Sequence, residues 1–335
     1  QIPYDNISPS KEVQISRLES FYYFNTNKDK KIIFLTTLNA VIQKIIPNSE
    51  LKKNFINISK SSKIKIDELI KLLVKIGYER ASIVRDKSEF AVRGSIIDIF
   101  LPQFEKPIRI DLFDNNIDSI CKFDQITQKR ITNSHLDNFT INMTTELIID
   151  FENLEKFKSN FRKNFQDYRK SQVYNLFSEG ITPSGGEQYI PLFYEKLDTL
   201  FDYFQKSHLI INHDIINLFE ERLESLNDYY EARINSNDSF YLDPSFLYID
   251  KKYFKNISKN LEITKLSPFY NEDCIKTNLK KINNISSIRK EIDFNFIKKF
   301  FEVNSKKNKI IICCNSKGSL EKVYKLLNEN IFIFP

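Results

Sequence analysis

The chain has 335 residues, of which 41% are hydrophobic and 28% charged, so it is long enough for roughly two to four domains with hydrophobic cores. No apolar run approaches the roughly 18 residues that a membrane-spanning helix requires, and the net charge of +6 is modest for this length. The four cysteines lack zinc-site spacing and the three histidines do not cluster, so we predict neither a disulfide framework nor a metal centre, and expect a reducing, cytoplasmic compartment.

Residues 1–47 have an α/β pattern. Pro9–Phe24 is helical in periodicity, Ile32–Thr36 is a short apolar run typical of a strand, and a second helix begins at Thr37 and stops before Pro47. A strand followed by a helix is the usual unit of a parallel sheet.

Residues 48–127 change in character. A helix is predicted over 66–76, with Gly77 ending it. Short β runs follow, at Ala81–Arg85, Glu89–Arg93, Ser95–Phe100, Pro107–Phe113 and Ile117–Phe123. Asp114-Asn115-Asn116 precedes the last run, and its two asparagines tolerate the positive φ that a tight hairpin requires. We therefore predict an α+β domain in which an antiparallel meander packs on a helix.

Strand alternation predicts which side chains share a face of this sheet. Ile108, Ile110 and Leu112 fall on one face, whereas Arg109 and Asp111 fall on the other. By the same alternation Arg93 lies opposite the apolar residues of its strand. One face is predicted to be packed, and the other to carry charges of both signs.

The remaining chain has weaker patterns. We predict a helix near Leu154–Phe177, a turn at Gly180–Gly186, a strand at Leu209–Asn212 and a helix over 214–232. From about residue 250 a small α/β layer is predicted, with a helix at Glu291–Val303, a strand at Lys309–Cys314 and a helix at Ser319–Leu327.

No pattern of an active site is found. The six glycines form no GxxxxGK[ST] phosphate loop, and Gly185-Gly186 is better explained as a turn. The sequence also lacks a serine elbow and an HExxH motif. We therefore predict no catalytic residues, no metal and no cofactor in this segment.

Four segments resemble the domain shared by the excision-repair protein UvrB and the bacterial transcription-repair coupling factors (Mfd). They are GYER at 77–80, EFAVRGSIIDIF at 89–100, RIDLF at 109–113 and FDQITQKR at 123–130. Ser88 and Ser95 stand where members of the family usually have glycine.

Other segments resemble the coupling factors more than UvrB. They are PYDNISPS at 3–10 followed by Arg17-Leu18, GGEQYIPLFY at 185–194 with its turn and strand, and LFDY at 200–203. A UvrB fragment is the alternative within the family, but the Tyr-rich hairpin expected before Ser8 is missing.

The resemblance implies a UvrB-like, degenerate helicase-type α/β domain in two parts. Residues 1–47 are the C-terminal part of the first α/β domain, and residues 128–245 are the second part of the UvrB-like domain. An α+β domain, 48–127, is inserted, and a small α/β domain, 250–335, follows. We expect the chain to be part of a longer protein, whose RNA-polymerase-binding region and ATP- and Mg-dependent DNA translocase motor lie outside these residues.

The partner implied by the resemblance is UvrA, the damage-recognition ATPase, bound by the second domain. The matching positions are Arg80, Arg93, Arg109 and Asp111, with Phe100 weaker. The alternative is that these arginines only pair within the sheet, Arg109 with Asp111 and Arg93 with Asp98. A different functional class is a DNA-contacting helicase remnant, for which the basic and aromatic residues along Lys156–Tyr174 are the best support.

Overall fold

The computed structural model describes residues 3–204, 207–235, 240–269, 274–276, 303, 312, 314 and 316–330. The chain divides into two compact units, Gln1–Pro268 and Phe269–Pro335.

The first unit begins with helix α1, Lys11–Thr26, and helix α2, Leu38–Ile42, as the pattern predicted. The Thr37 hydroxyl accepts a hydrogen bond from the Ala40 amide and caps α2. The predicted strand Ile32–Thr36 is wrong. Within the described chain their backbone groups make no hydrogen bond to another strand, so no ladder forms.

Helix α3, Asn48–Lys53, and strand β1, Ile56–Ser59, lead to helix α4, Ile66–Lys75. Leu69 and Leu73 of α4 are buried. Gly77 follows with φ +96°, and a Cβ there would lie 2.7 Å from the Thr144 hydroxyl oxygen. Glycine is therefore needed both for the backbone conformation and for the close approach.

A six-stranded sheet packs on α4, and it confirms the predicted meander. Its strands, in spatial order, are β2 Glu79–Arg80, β3 Glu89–Arg93, β4 Ile96–Ile99, β5 Ile108–Phe113, β6 Asn116–Phe123 and β7 Arg130–His135. The first pair is parallel and the others are antiparallel.

Three details of the predicted sheet are wrong. The first run lies at Glu79–Arg80 instead of Ala81–Arg85, because the chain after Arg80 forms an irregular loop. The positive φ of the β5–β6 hairpin belongs to Asp114, at +54°, and not to the two asparagines. Strand β7 continues the sheet beyond residue 127, where the domain was predicted to end.

Strand β8, Asn138–Ile141, pairs antiparallel with β1. The pairing brings the two ends of the segment 56–141 together. Such a closed base is compatible with an inserted domain.

The rest of the first unit is mainly helical. Three helices come first: α5 (Phe151–Asn164), α6 (Gln172–Ser178) and α7 (Leu200–Tyr203). They are followed by strand β9 (His208–Asn212), helices α8 (Ile215–Ile234), α9 (Pro244–Leu247) and α10 (Lys251–Ser258), and strand β10 (Glu262–Leu266). Strands β9 and β10 are parallel. The single helix predicted over Leu154–Phe177 is thus two helices, and Gly186–Leu192 is a 3₁₀ helix where a strand was expected.

One large hydrophobic core connects the beginning of the chain to its middle. Tyr203 donates a hydrogen bond of 2.9 Å to the Ile46 carbonyl, and the Ile45 amide donates one of 2.8 Å to the Asp198 carbonyl. Residues 1–47 and 128–245 therefore touch, as the hypothesis of a split domain requires. Because the core also includes the inner face of the six-stranded sheet, the boundaries of the domains stay a prediction.

In the second unit the described residues contain helix α11, Lys317–Asn330, in agreement with the predicted helix Ser319–Leu327. Apart from residues 303, 312 and 314, the predicted helix Glu291–Val303 and strand Lys309–Cys314 lie outside the described residues. Among the residues described, no helix is both long and apolar enough to cross a membrane.

Candidate functional site

The charged residues predicted from alternation meet on the face of the six-stranded sheet that points away from α4. Asp98 of β4 lies directly opposite Arg109 of β5, and Arg93 lies at the end of β3 next to them. Because residues in register on adjacent strands point to the same face, these three side chains can interact.

Asp98 is the centre of this arginine cluster. Its carboxylate is only 1% exposed and accepts two parallel hydrogen bonds from Arg109, from Nε at 2.7 Å and from Nη2 at 2.9 Å. Arg93 Nη2 donates a third, at 2.5 Å. The hydrogen bond to Asp98 raises the pKa of Arg109 above its ordinary value. One buried carboxylate therefore orients two guanidinium groups.

Arg109 is buried, so the expectation that it projects from the surface is wrong. Its side chain is 10% exposed, its guanidinium lies 4.5 Å from the centre of the Phe123 ring, and its Nη1 donates to the Gln128 carbonyl. The reason is that the irregular loop after β2 and the turn after β6 cover part of this face. Strand alternation identifies the face but not what folds over it.

Phe100 lies beneath the same cover. It is 6% exposed and forms a small second core with Val84, Ala91 and Phe123. Its position is that of a packing residue, and contact with a partner is not available to its ring.

Asp111 lies in a neighbouring pair that the sequence did not identify. It accepts a hydrogen bond of 2.7 Å from Arg130 Nη2 of β7 and another from the Ser119 hydroxyl of β6. The Arg130 side chain is 52% exposed, and that of Arg93 is 43% exposed. Arg93 and Arg130 are therefore exposed cations that belong to strands of this face. Arg130 ended the last of the resembling segments, which is the signal that could have identified it.

Arg80 is exposed but lies elsewhere. Register pairs it with Phe90, whose ring is in the core on the α4 side of the sheet. Arg80 and Arg93 therefore belong to opposite faces. The prediction that Arg80, Arg93 and Arg109 project from one side fails because the loop between β2 and β3 breaks the alternation.

The basic and aromatic segment Lys156–Tyr174 keeps three of its aromatic rings in the core. Phe157 and Phe161 are fully buried, and Tyr174 is 7% exposed, so these rings cannot stack on bases. Lys156 and Lys158 pair with glutamates of the same helix. Phe157, Phe161 and Tyr174 form the core side of α5 and α6. Tyr168, between the two helices, is half-buried and has the exposed Arg162 and Arg169 over its ring.

Three other features of the described residues were candidates for a site: a surface groove, a glycine turn and groups that could bind a metal ion. A groove of about 430 Å³ lies between α1 and residues 32–35, and Glu19 is the carboxylate in its lining. Gly185 has φ +75° and forms the predicted turn against the Asp5 carbonyl. In the described part of the chain, no three histidine, cysteine or acidic residues are placed to hold a metal ion.

Comparison with known proteins identifies the domain that carries the arginine cluster. Residues 56–146 match the family described as the UvrB interaction domain. Transcription-repair-coupling factors are similar to the chain: that of Rickettsia prowazekii is 30% identical over 340 residues, covering 99% of this chain, and that of Haemophilus influenzae is 33% identical over 213 residues, covering 63%. That of Escherichia coli is 30% identical over 213 residues, again covering 63% of the chain.

The chain spans only part of these relatives. It covers 30% of the length of the Rickettsia protein and 18% of each of the other two. The match to the interaction domain starts at β1 and extends just past β8, so it coincides with the closed segment that contains the six-stranded sheet.

Proposed function

We propose that this chain, a homologue of the transcription-repair-coupling factors that contains a UvrB interaction domain, docks the repair protein UvrA. In this role it recruits UvrA to the site where the coupling factor acts. The observation that carries the proposal is the match of residues 56–146, because that segment holds the whole arginine cluster.

The exposed cations are the groups suited to such docking. The Arg93 Nη2 is fixed on Asp98, which leaves its other N–H donors for a partner. Arg130 is fixed in the same way on Asp111. An arginine whose side chain is already oriented loses less conformational entropy on binding, and arginine is enriched among the residues that dominate interface energetics.

Arg109 then has an indirect role in our proposal. It cannot reach a partner from beneath the turn after β6, but it holds Asp98 in the position that orients Arg93. Arg109 and Asp98 are therefore positioning residues, whereas Arg93 and Arg130 are contact residues.

We further propose that this segment is not itself catalytic and works in the cytoplasm. In the resembling family, ATP hydrolysis, DNA translocation and RNA-polymerase binding belong to domains outside these residues. The absence of a phosphate-loop motif from the sequence supports this assignment. Steady ATP turnover by the pure chain, co-purifying with it through successive columns, would contradict it.

The test is a titration of UvrA against the immobilised chain. The parent protein should bind, and Arg93→Ala and Arg130→Ala should each weaken binding by about 2 kcal/mol, the loss typical of a dominant interface residue. Arg169→Ala is the matched control, because Arg169 is also an exposed arginine but lies outside residues 56–146. Failure of the parent to bind UvrA, or equal losses in all three variants, would refute the proposal.

A further inference from the structure

The turn between β6 and β7, residues 124–129, displays one large apolar side chain. Ile126 is 84% exposed, although a polar residue at this place would be as compatible with the turn. A single exposed isoleucine is common on protein surfaces and is not evidence by itself. The structure around it is what distinguishes this one.

The turn is held by several side-chain hydrogen bonds. The Asp124 Oδ1 accepts from the amides of Ile126 and Thr127 and from the Thr127 hydroxyl, at 2.9–3.2 Å. Lys106 donates to the other Asp124 oxygen at 2.9 Å. The hydrogen bonds from Thr127 and Lys106 hold the pKa of Asp124 well below its usual range.

The other end of the turn is fixed as well. Gln128 adopts φ +59°, and its side-chain amide donates to the carbonyls of Gln125 and Val84. The Gln128 carbonyl accepts from Arg109, which links the turn through Asp98 to Arg93. The loop that presents Ile126 is thereby connected to the charged cluster.

We propose that the 124–129 turn is a preformed recognition loop, in which Ile126 is the apolar anchor of the contact that also uses Arg93 and Arg130. The inference rests on the proposed UvrA docking and specifies its chemistry. The complementary surface on UvrA should present an apolar pocket for Ile126, flanked by carboxylates that face the two arginines.

Physical reasons favour this arrangement. Exposed arginines alone gain little from surface ion pairs, because water and salt screen them. An apolar side chain that becomes buried excludes water from the neighbouring charge pairs and strengthens them. A loop that is already ordered before binding avoids the entropic cost of ordering it in the complex.

The test uses four variants in the same UvrA titration. Ile126→Ser should weaken binding at least about tenfold, as expected when the burial of a whole isoleucine side chain is lost. Ile33→Ser is the matched control, because Ile33 is 90% exposed and lies outside the sheet. It should bind within about twofold of the parent.

The preformed state of the loop is tested separately. Asp124→Ala keeps Ile126 but removes the bonds that hold the turn, and should also weaken binding. In the double variant Asp124→Ala/Ile126→Ser the loss should not exceed that of Ile126→Ser, since the only task assigned to the turn is to present the isoleucine.

The possible failures are distinguishable. If the parent and Arg93→Ala behave as proposed but Ile126→Ser binds like the parent, the docking function stands and the anchor is refuted. Parental binding by Asp124→Ala, or independent losses in the double variant, would refute the preformed loop. If the parent does not bind UvrA, the proposed function and this inference fall together.

Discussion

Arg109 and Asp98 lie directly opposite each other on β5 and β4 and are joined by two parallel hydrogen bonds, although both side chains are almost inaccessible to solvent. A charged pair of this kind is costly to break, because removing one partner leaves the other charge buried without compensation. The alternative drawn from the sequence paired Arg109 with Asp111 at the surface, whereas Asp111 pairs with Arg130 and Arg109 with the buried Asp98. The structure makes it an internal support of the sheet.

The first prediction concerns this pair. Arg109→Ala should lower the free energy of unfolding by about 3 kcal/mol, because Asp98 is left as a buried carboxylate with only Arg93 beside it. Urea denaturation monitored by circular dichroism would measure the change. A loss below about 1 kcal/mol, the range of a surface ion pair, would show that Arg109 is not a buried support.

The second prediction separates binding from stability at Arg93. Arg93→Ala should leave stability within about 1 kcal/mol of the parent, since the side chain is 43% exposed and Asp98 retains Arg109. Arg93→Glu should be less stable than Arg93→Ala, because the new carboxylate faces the buried Asp98. Charge reversal is therefore the poorer test of docking. Equal melting temperatures for the two variants would contradict this placement of Arg93.

The third prediction concerns Ser88 and Ser95, the two positions where the family resemblance implies glycine. Ser88 has φ +70°, is fully buried, and its hydroxyl has no hydrogen-bond partner among the described residues. Ser88→Gly should therefore stabilise the protein by about 1 kcal/mol, by relieving backbone strain and removing an unsatisfied hydroxyl.

Ser95 provides the matched control. It is exposed, and its φ is not positive, so Ser95→Gly should be neutral or destabilising by about 0.5 kcal/mol through the entropy of the unfolded chain. Thermal unfolding of both variants would decide the matter. A gain in stability for Ser95→Gly but not for Ser88→Gly would contradict the assignment of backbone strain to Ser88.

The fourth prediction concerns acid. Hydrogen bonds from Thr127, together with Lys106, lower the pKa of Asp124 in the folded protein. Because the pKa of Asp124 is lower in the folded state than in the unfolded state, where it is about 4, its carboxylate stabilises the folded protein at pH values above 4. This contribution is lost as the pH falls through the folded-state pKa. The amides of Ile126 and Thr127 should thus stay protected from hydrogen exchange at pH 4. Loss of their protection between pH 6 and 5 would contradict this.

The sequence by itself determined much of the local structure. Helix α4 and strands β3 to β6 follow from periodicity and from Gly77, because each of these elements buries one regular apolar face. Periodicity also identified the face on which Arg93, Arg109 and Asp111 lie. The four segments between residues 77 and 130 that resemble the domain shared by UvrB and the coupling factors fall within the family match at 56–146.

Only the tertiary structure decided which of those charges are accessible. Arg109 and Phe100 are covered by the loop after β2 and the turn after β6, and Arg80 belongs to the opposite face because an irregular loop separates β2 from β3. The apolar run at 32–36 likewise remained unpaired, since a strand needs a neighbour that local pattern cannot supply. Burial and pairing depend on residues distant in the chain, and so they distinguish Arg93 and Arg130 from arginines that look the same in the sequence.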